Sequence, residues 1–357
     1  MNERIARALM FAGRPLSPFY DLAMRLRRYA YSRGILPSRR VDAFLIGVGN
    51  LSLGGTGKSP HVLEIARFVQ AIGRRVAIVS RGYGGHAGKG PLVVQPSGDP
   101  LHDSRLFGDE PLMLARRLDG IPVIVGSDRY AGCILSQRNF HVDTVILDDG
   151  FQHLRVRKDL DLVLVPATQP FDNGWVFPGG MLREAPHALK DADAIIVTKA
   201  NEVGSRELHE VKAMVARHVK DVPVFVSRYK ASCIHFPFVG RKGLPGEIDS
   251  GIVAFCALAD PDSFLNTLKQ IGLSPSAFLR FRDHHFYGKD DLERIYRVFR
   301  RNSASCIITT EKDMTKIAKG MWERIAPSEL LGYLHVDVHI EGAFWNYLSS
   351  RIESGKM

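Results

Sequence analysis

From residue 41 onward, short continuous apolar runs alternate with stretches of helical periodicity. The runs Ala43–Gly49, Arg75–Ser80, Pro122–Gly126, Thr144–Leu147, Asp161–Val165 and Ala194–Thr198 predict strands, as do Val222–Ser227, Ile252–Ala257, Ser305–Thr310 and Tyr333–Val338. Most are apolar throughout rather than alternating, as expected for parallel strands covered on both faces. Between them, Pro60–Ile72, Glu110–Leu118, Ser205–His218, Asp262–Ile271 and Asp290–Arg300 predict helices. Such an order specifies an α/β chain with a doubly wound, mostly parallel sheet. Residues 1–40 read differently. Phe19, Leu22, Ala23, Leu26, Tyr29 and Ala30 recur at helical spacing, while Asp21, Arg25, Arg28 and Ser32 fall on another face. Within Phe236–Asp249, Pro237, Gly240, Gly243, Pro245 and Gly246 interrupt the periodicity and mark a boundary. The expected organisation is an amphipathic segment 1–40, a core domain 41–235 and a smaller C-terminal α/β domain 250–357. There is no internal repeat or low-complexity tract.

Composition narrows the class. The 357 residues are 45% hydrophobic and 24% charged, a balance that excludes intrinsic disorder. No segment reaches the ~18 uninterrupted apolar residues of a membrane span. Arg4, Arg7 and Arg14 break up the first apolar stretch, which speaks against a secretory signal. Cys133, Cys233, Cys256 and Cys306 form no CxxC pair, so a disulfide framework or zinc site is not expected. The net charge of +10 is local: residues 1–40 hold nine arginines against Glu3 and Asp21, leaving +3 for the rest. A helix with an apolar stripe and an Arg-rich back can lie in an anionic lipid interface. It can equally pack its stripe on the protein and leave the arginines in solvent.

The most specific signal is Ser52-Leu53-Gly54-Gly55-Thr56-Gly57-Lys58-Ser59, directly after an apolar strand and before a helix. It fits the phosphate-loop pattern GxxxxGK[ST] except that Ser52 replaces the first glycine. Glycines let backbone N–H groups turn toward phosphate oxygens, and the helix adds the positive end of its dipole. Lys58 would bridge the outer phosphates and the Ser59 hydroxyl would ligate Mg²⁺. The chain is therefore expected to bind a nucleoside triphosphate. The strand ending in Asp148-Asp149 supplies the second magnesium handle such a loop needs. Phe107-Gly108-Asp109-Glu110-Pro111 and Asp283-His284-His285 offer a carboxylate and imidazoles for taking a proton from an alcohol. Taken alone, Asp109 is equally a helix cap and the histidines equally surface residues. Arg81-Gly82-Tyr83-Gly84-Gly85 resembles a second anion-friendly loop, and Pro178–Glu184 adds an Arg-Glu pair after glycines.

In this order, these motifs resemble the tetraacyldisaccharide 4'-kinase (lipid A 4'-kinase) family of Gram-negative bacteria. The residues that carry the resemblance are Gly49–Pro60, Arg81–Gly85, Gly108–Pro111, Asp148–His153, Pro178–Glu184, Asp283-His284 and Thr309–Asp313. It implies a P-loop NTPase-like kinase that moves the γ-phosphate of ATP to the 4'-hydroxyl of an acylated glucosamine disaccharide 1-phosphate. The product would be the bis-phosphorylated lipid A precursor of lipopolysaccharide synthesis. By matching motif, Asp109 is the candidate base and His284 its partner, the Asp-His spacing alone choosing His284 over His285. Ser52, Leu53, Gly54, Gly55, Thr56, Gly57, Lys58 and Ser59 would bind the nucleotide. Ser59, Asp148, Asp149 and Glu184 would manage Mg²⁺, and Arg183 would join Lys58 in the charged site. Tyr83, Asn50 and Gln152 are candidates for contact with the substrate. Thr310–Asp313 has no assigned role. A four-chain lipid stays in its bilayer, because each buried CH₂ is worth ~0.8 kcal/mol. The resemblance thus implies a peripheral enzyme on the cytoplasmic face of the inner membrane, with an anionic membrane surface as partner and no nucleic acid.

The loop also resembles that of the partitioning and site-selection ATPases, which switch on nucleotide and phosphorylate no small substrate. Those carry a signature lysine just before the first glycine of the Gly-Gly pair, where this chain has Leu53. A nucleic-acid motor would need helicase motifs and a basic groove, neither of which the sequence carries.

Overall fold

The computed structural model describes residues 10–54, 57–82, 85, 90–248 and 251–355. The chain divides into two compact units, each discontinuous in sequence. The first is Met1–Arg81, Asp128–Tyr229 and Val338–Met357; the second is Gly82–Ser127 and Lys230–Asp337. The segment 82–127, which the sequence reading put with the phosphate loop, thus belongs to the second unit.

The first unit is built on parallel strands. Phe44–Asn50 lies between Leu160–Pro166 and Thr144–Asp148. Val76–Ser80 pairs with the latter, while Ala194–Thr198 and then the start of Val224–Phe236 extend the other side. Every residue of Phe44–Asn50, Val76–Ser80, Thr144–Asp148 and Ala194–Thr198 is buried, which is why their runs are apolar from end to end. Helix Lys58–Ala71 packs on this sheet through Val62, Leu63, Ile65, Ala66 and Val69. Helix Arg129–Phe140 carried no apolar stripe for the sequence to show. It meets Val76–Ser80 through a buried face that includes Gly132, Cys133 and Ser136. The C-terminal helix Gly342–Ser354, also unforeseen, sets Phe344 5.4 Å from Phe225 and Trp345 4.7 Å from Phe68.

Helix Ser17–Ser32 closes the first unit, and its contacts show which of its faces is covered. Its inward face holds Ser17, whose hydroxyl donates to Val176 O (2.8 Å) and accepts from Gly179 N–H (2.9 Å). Tyr20 meets Phe177 edge-on at 5.8 Å, and Arg28 lies over the Phe151 ring and grips Glu184 with two donors. Gly13 runs so close to Pro178 that a Cβ there would sit 2.6 Å from the proline carbonyl oxygen. The apolar stripe faces solvent: Leu16, Phe19, Leu22, Leu26 and Tyr29 are all more than half exposed. Phe11, and Trp175 and Phe177 on the neighbouring loop, are exposed as well. Arg14 bridges Phe11 and Trp175 through its two cation–π contacts.

In the second unit, Pro275–Arg280, Ile252–Cys256, Cys306–Thr310 and the first part of Leu331–Ile340 form a parallel sheet in that order. Arg241–Gly243 pairs antiparallel with the end of Val224–Phe236, and Leu92–Val93 pairs antiparallel with Val123–Val125. Helix Lys289–Arg301 buries Leu292, Ile295 and Phe299 in a core with Phe255, Tyr287 and Trp322. Ten expected strands and five expected helices are present. The short edges 92–93 and 241–243 were too brief to register as runs, and Pro275–Arg280 shows only one buried residue, Leu279.

Candidate active site

The phosphate-loop motif begins where the central strand Phe44–Asn50 ends. Leu53 N–H donates to Met181 O and Arg183 N–H to Leu51 O, both at 2.6 Å, so residues 51–53 and 181–183 are tied backbone to backbone. This tie is what brings Arg183, distant in sequence, to the loop. Gly55 and Thr56 of the motif lie outside the described residues, as do Tyr83 and Gly84. Gly57 begins helix Lys58–Ala71 at φ 80°, and a Cβ there would collide with the Tyr229 hydroxyl. Its helix has no side-chain cap among the described residues, and the positive end of its dipole lies at the loop, where it favours an anion.

Side chains converge beside this loop. Lys58 Nζ lies 3.3 Å from Asn50 Oδ1 and 3.4 Å from Asp149 Oδ1. Arg183 donates to Asp149 Oδ2 at 2.7 Å. Asp149 takes φ 55°, a left-handed backbone conformation uncommon for residues other than glycine but tolerated by aspartate. Burial works to raise its pKa, but Lys58 and Arg183 outweigh it and hold the carboxyl below the usual range. Asp148 accepts from the Ser80 hydroxyl at 2.9 Å and is buried, as is Ser59. Hydroxyl and carboxylate oxygens of this kind are a hard donor set that fits Mg²⁺.

Three expected site residues have other partners. Asn50 is fully buried and spends its amide on Ser52 O (2.9 Å), so it shapes the loop from behind. Gln152 donates to Asn50 O at 2.8 Å. Both oxygens of Glu184 are engaged by Arg28, which gives this carboxylate the task of seating the N-terminal helix. Sequence reasoning missed His61 and Arg129. His61 is fully buried; its Nδ1–H donates to Gly57 O and its Nε2 accepts from the Ser227 hydroxyl, both at 2.7 Å. Burial lowers its pKa to about 4 and keeps it neutral in this role. Arg129 is a buried guanidinium within Coulombic reach of Asp148 and Asp149. Its only cue is its place just after the strand Val123–Val125.

The second unit holds the other group of candidates. Gly108, at φ 88°, turns the chain so that Asp109 opens helix Asp109–Arg117. Asp109 is 4% exposed, and both its oxygens lie within 3.1 Å of His284 Nδ1. His284 sits at φ 59°, whereas His285 turns to Asp291 (2.8 Å) and stacks on Phe281. Lys312 Nζ lies 3.3 Å from Glu110, 3.4 Å from Asp283, 3.8 Å from Asp109 and 3.5 Å from His284 Nε2. The polar turn at 310–313, which had no role in sequence terms, is the element that delivers this lysine. Desolvation would raise the Asp109 pKa, but the His284 hydrogen bond, with Lys312 and Lys316 nearby, drives it down to about 2. The same hydrogen bond raises the pKa of His284 against its partial burial.

The profile of the tetraacyldisaccharide-1-P 4'-kinase family, LpxK, matches residues 9–353. A tetraacyldisaccharide 4'-kinase of Geobacter metallireducens is 37% identical over 89% of this chain and 90% of its own. Another, of Desulfatibacillum aliphaticivorans, is 34% identical over 96% and 93%. Among solved structures, LpxK from Aquifex aeolicus in complex with ATP superposes with a TM-score of 0.71 at 26% identity, covering 95% of this chain and 98% of that one. With residues 9–353 matched by the family profile and most of the chain by curated relatives and a solved structure, the chain belongs to the tetraacyldisaccharide-1-P 4'-kinase family and is a kinase.

Proposed function

We propose that this kinase transfers the γ-phosphate of ATP to the 4'-hydroxyl of an acylated glucosamine disaccharide 1-phosphate, forming the bis-phosphorylated lipid A precursor. The observation that carries the site reading is the Asp109–His284 couple, a buried carboxylate on a half-buried imidazole, found in a chain that also has the phosphate loop. Phosphoryl transfer asks the protein mainly for placement and charge neutralisation. Lys58, Arg183 and the first-turn amides of Lys58–Ala71 hold the triphosphate. Ser59, Asp148 and Asp149 are the residues that would hold Mg²⁺, which neutralises phosphate charge when bound; Glu184 is engaged by Arg28 instead. The 4'-hydroxyl oxygen bonds to the γ-phosphorus as the bond from that phosphorus to the β-phosphate oxygen breaks, and ADP leaves. The hydroxyl proton passes to the Asp109–His284 couple. A carboxylate held ionised down to about pH 2 is by itself a weak acceptor. The adjacent imidazole, made more basic by Asp109, gives the proton a place to rest. In cells, the chain should restore growth to a Gram-negative strain depleted of its own 4'-kinase; failure of an expressed, folded chain to do so would count against the assignment.

A pH dependence follows from the same couple. His284 must be unprotonated to share the incoming proton, and its pKa is raised. The acid limb of kcat/KM should therefore have its midpoint above the ordinary 6.5 of histidine, with activity lost as pH falls through it. Asp109→Asn should move the residual limb downward. A wild-type limb at or below pH 6 would remove His284 from the proton path.

The enzyme must reach a substrate held in a bilayer, and no described helix is long and apolar enough to cross one. We assign docking to the solvent-facing stripe of Ser17–Ser32, together with Trp175 and Phe177. Burying side chains of this size is worth about 1.5–3 kcal/mol each. The exposed Arg25 and Arg33 suit the headgroups of an anionic, cytoplasmic-leaflet surface. Replacing Phe19, Leu22 and Leu26 together by Gln should abolish flotation with anionic vesicles. Activity on substrate in detergent micelles should persist. Undiminished flotation would defeat the docking assignment.

A further inference from the structure

The end of the strand Cys306–Thr310 organises a second layer behind Asp109. Asp313 is fully buried; its Oδ2 accepts from Ala257 N–H (2.9 Å) and from the Thr310 hydroxyl (2.7 Å). Its other oxygen lies 2.7 Å from Lys316 Nζ. Lys316 is itself completely buried, an uncommon state for a lysine, and its Nζ stands 3.6 Å from Asp109 Oδ2 and 5.4 Å from the Tyr287 ring centroid. Asp109 Oδ1 accepts from Glu110 N–H at 3.0 Å. The two oxygens are thus held differently, one by a backbone amide and the other by a buried cation.

We infer that Lys316, clamped by Asp313, is a positioning residue that fixes the Asp109 carboxylate in its ionised form against His284. The inference rests on the reading of Asp109 as part of the base. The groups around Asp109 are His284, Lys312 and Lys316, with Glu110, Asp283, Asp313 and Tyr287 behind them. Lys312 also lowers the Asp109 pKa, but it is divided among Asp109, Glu110, Asp283 and His284, so its position is not set by Asp109 alone. Lys316 has two carboxylates and no solvent. A buried ion pair is poor evidence for stability on its own account. Here the pair holds a third charge in place, and that charge belongs to the proposed base. The two parts of the motif thereby acquire separate tasks: Asp313 anchors Lys316, and Lys316 anchors Asp109.

The decisive experiment removes the pair as a unit. Lys316→Met alone strands a buried Asp313 and endangers folding, so Lys316→Met/Asp313→Asn is compared with wild type. The double variant should keep its melting behaviour and its KM for ATP. Its kcat should fall by about tenfold or more, and its acid limb should move up as Asp109 loses the ammonium 3.6 Å from its Oδ2. Wild-type kcat with an unmoved limb would overturn the proposal, because it would reduce Lys316 to neutralising Asp313. Should the double variant not fold, nitrogen NMR of the lysine ammonium groups reads the same contact in the folded protein. Asp109→Asn should shift the slowly exchanging Lys316 signal, and an unchanged signal would overturn the proposal. The underlying base reading is tested separately by the turnover of Asp109→Asn. If that turnover stays at the wild-type level, the parent reading fails, whatever Lys316 does.

Discussion

Asp109→Asn should lower turnover by about 10²–10⁴-fold while leaving the affinity for ATP near wild type. The asparagine preserves the size of the side chain and its place at the head of helix Asp109–Arg117, so a packing defect is not expected. It removes the charge that Lys312 and Lys316 face and the carboxylate that orients His284. The loss should therefore appear in kcat, with the KM for ATP unchanged, since the nucleotide is assigned to residues of the first unit. His284→Ala should likewise lower turnover, because the carboxylate left with Lys316 and the Glu110 amide is a weak proton acceptor without the imidazole. Turnover of Asp109→Asn within a few-fold of wild type would take Asp109 out of the chemistry.

Lys58→Met should abolish transfer and weaken triphosphate binding together, a different signature from that of Asp109. Lys58 opens its helix beside Asp149 and Asn50, and removing it takes away one of the cations, with Arg183 and Arg129, that balance Asp149. Loss of one preorganised charge at a phosphoryl group costs about 10²–10³-fold in rate. Here binding falls as well, because the same ammonium is assigned to the ground-state triphosphate. A loss of about tenfold or more in ATP affinity and no detectable phosphorylated lipid is the expected result, read by calorimetry and product analysis. Phosphotransferase activity surviving in Lys58→Met would contradict the assignment of residues 52–59.

Much of the fold was legible because burial on both faces writes itself into composition. Phe44–Asn50 and Ala194–Thr198 are apolar from end to end for that reason. Helix Arg129–Phe140 was not legible, because its buried face includes Gly132, Cys133 and Ser136, which no hydrophobic period marks. The N-terminal helix was legible as amphipathic, but periodicity cannot say which face is covered. The answer lies in the fit of Ser17 and Gly13 to the loop at Val176–Gly179, and in Arg28 on Glu184. Lys58 and Ser59 could be read from spacing alone, since a phosphate loop is contiguous. The Asp109–His284 couple could not, since its members stand 175 residues apart and each has an ordinary reading by itself. Only the family resemblance joined them. Lys316 left no sign at all, because nothing in a lysine one helical turn after an aspartate announces that both are buried.

The account is tested most directly by incubating the full chain with ATP labelled at the γ-phosphate, Mg²⁺ and an acylated disaccharide 1-phosphate in mixed micelles. It predicts label in a phosphomonoester on the 4'-oxygen of the disaccharide, formed one-for-one with ADP and lost in Lys58→Met and Asp109→Asn. Label recovered only as inorganic phosphate, with the disaccharide unmodified, would contradict it.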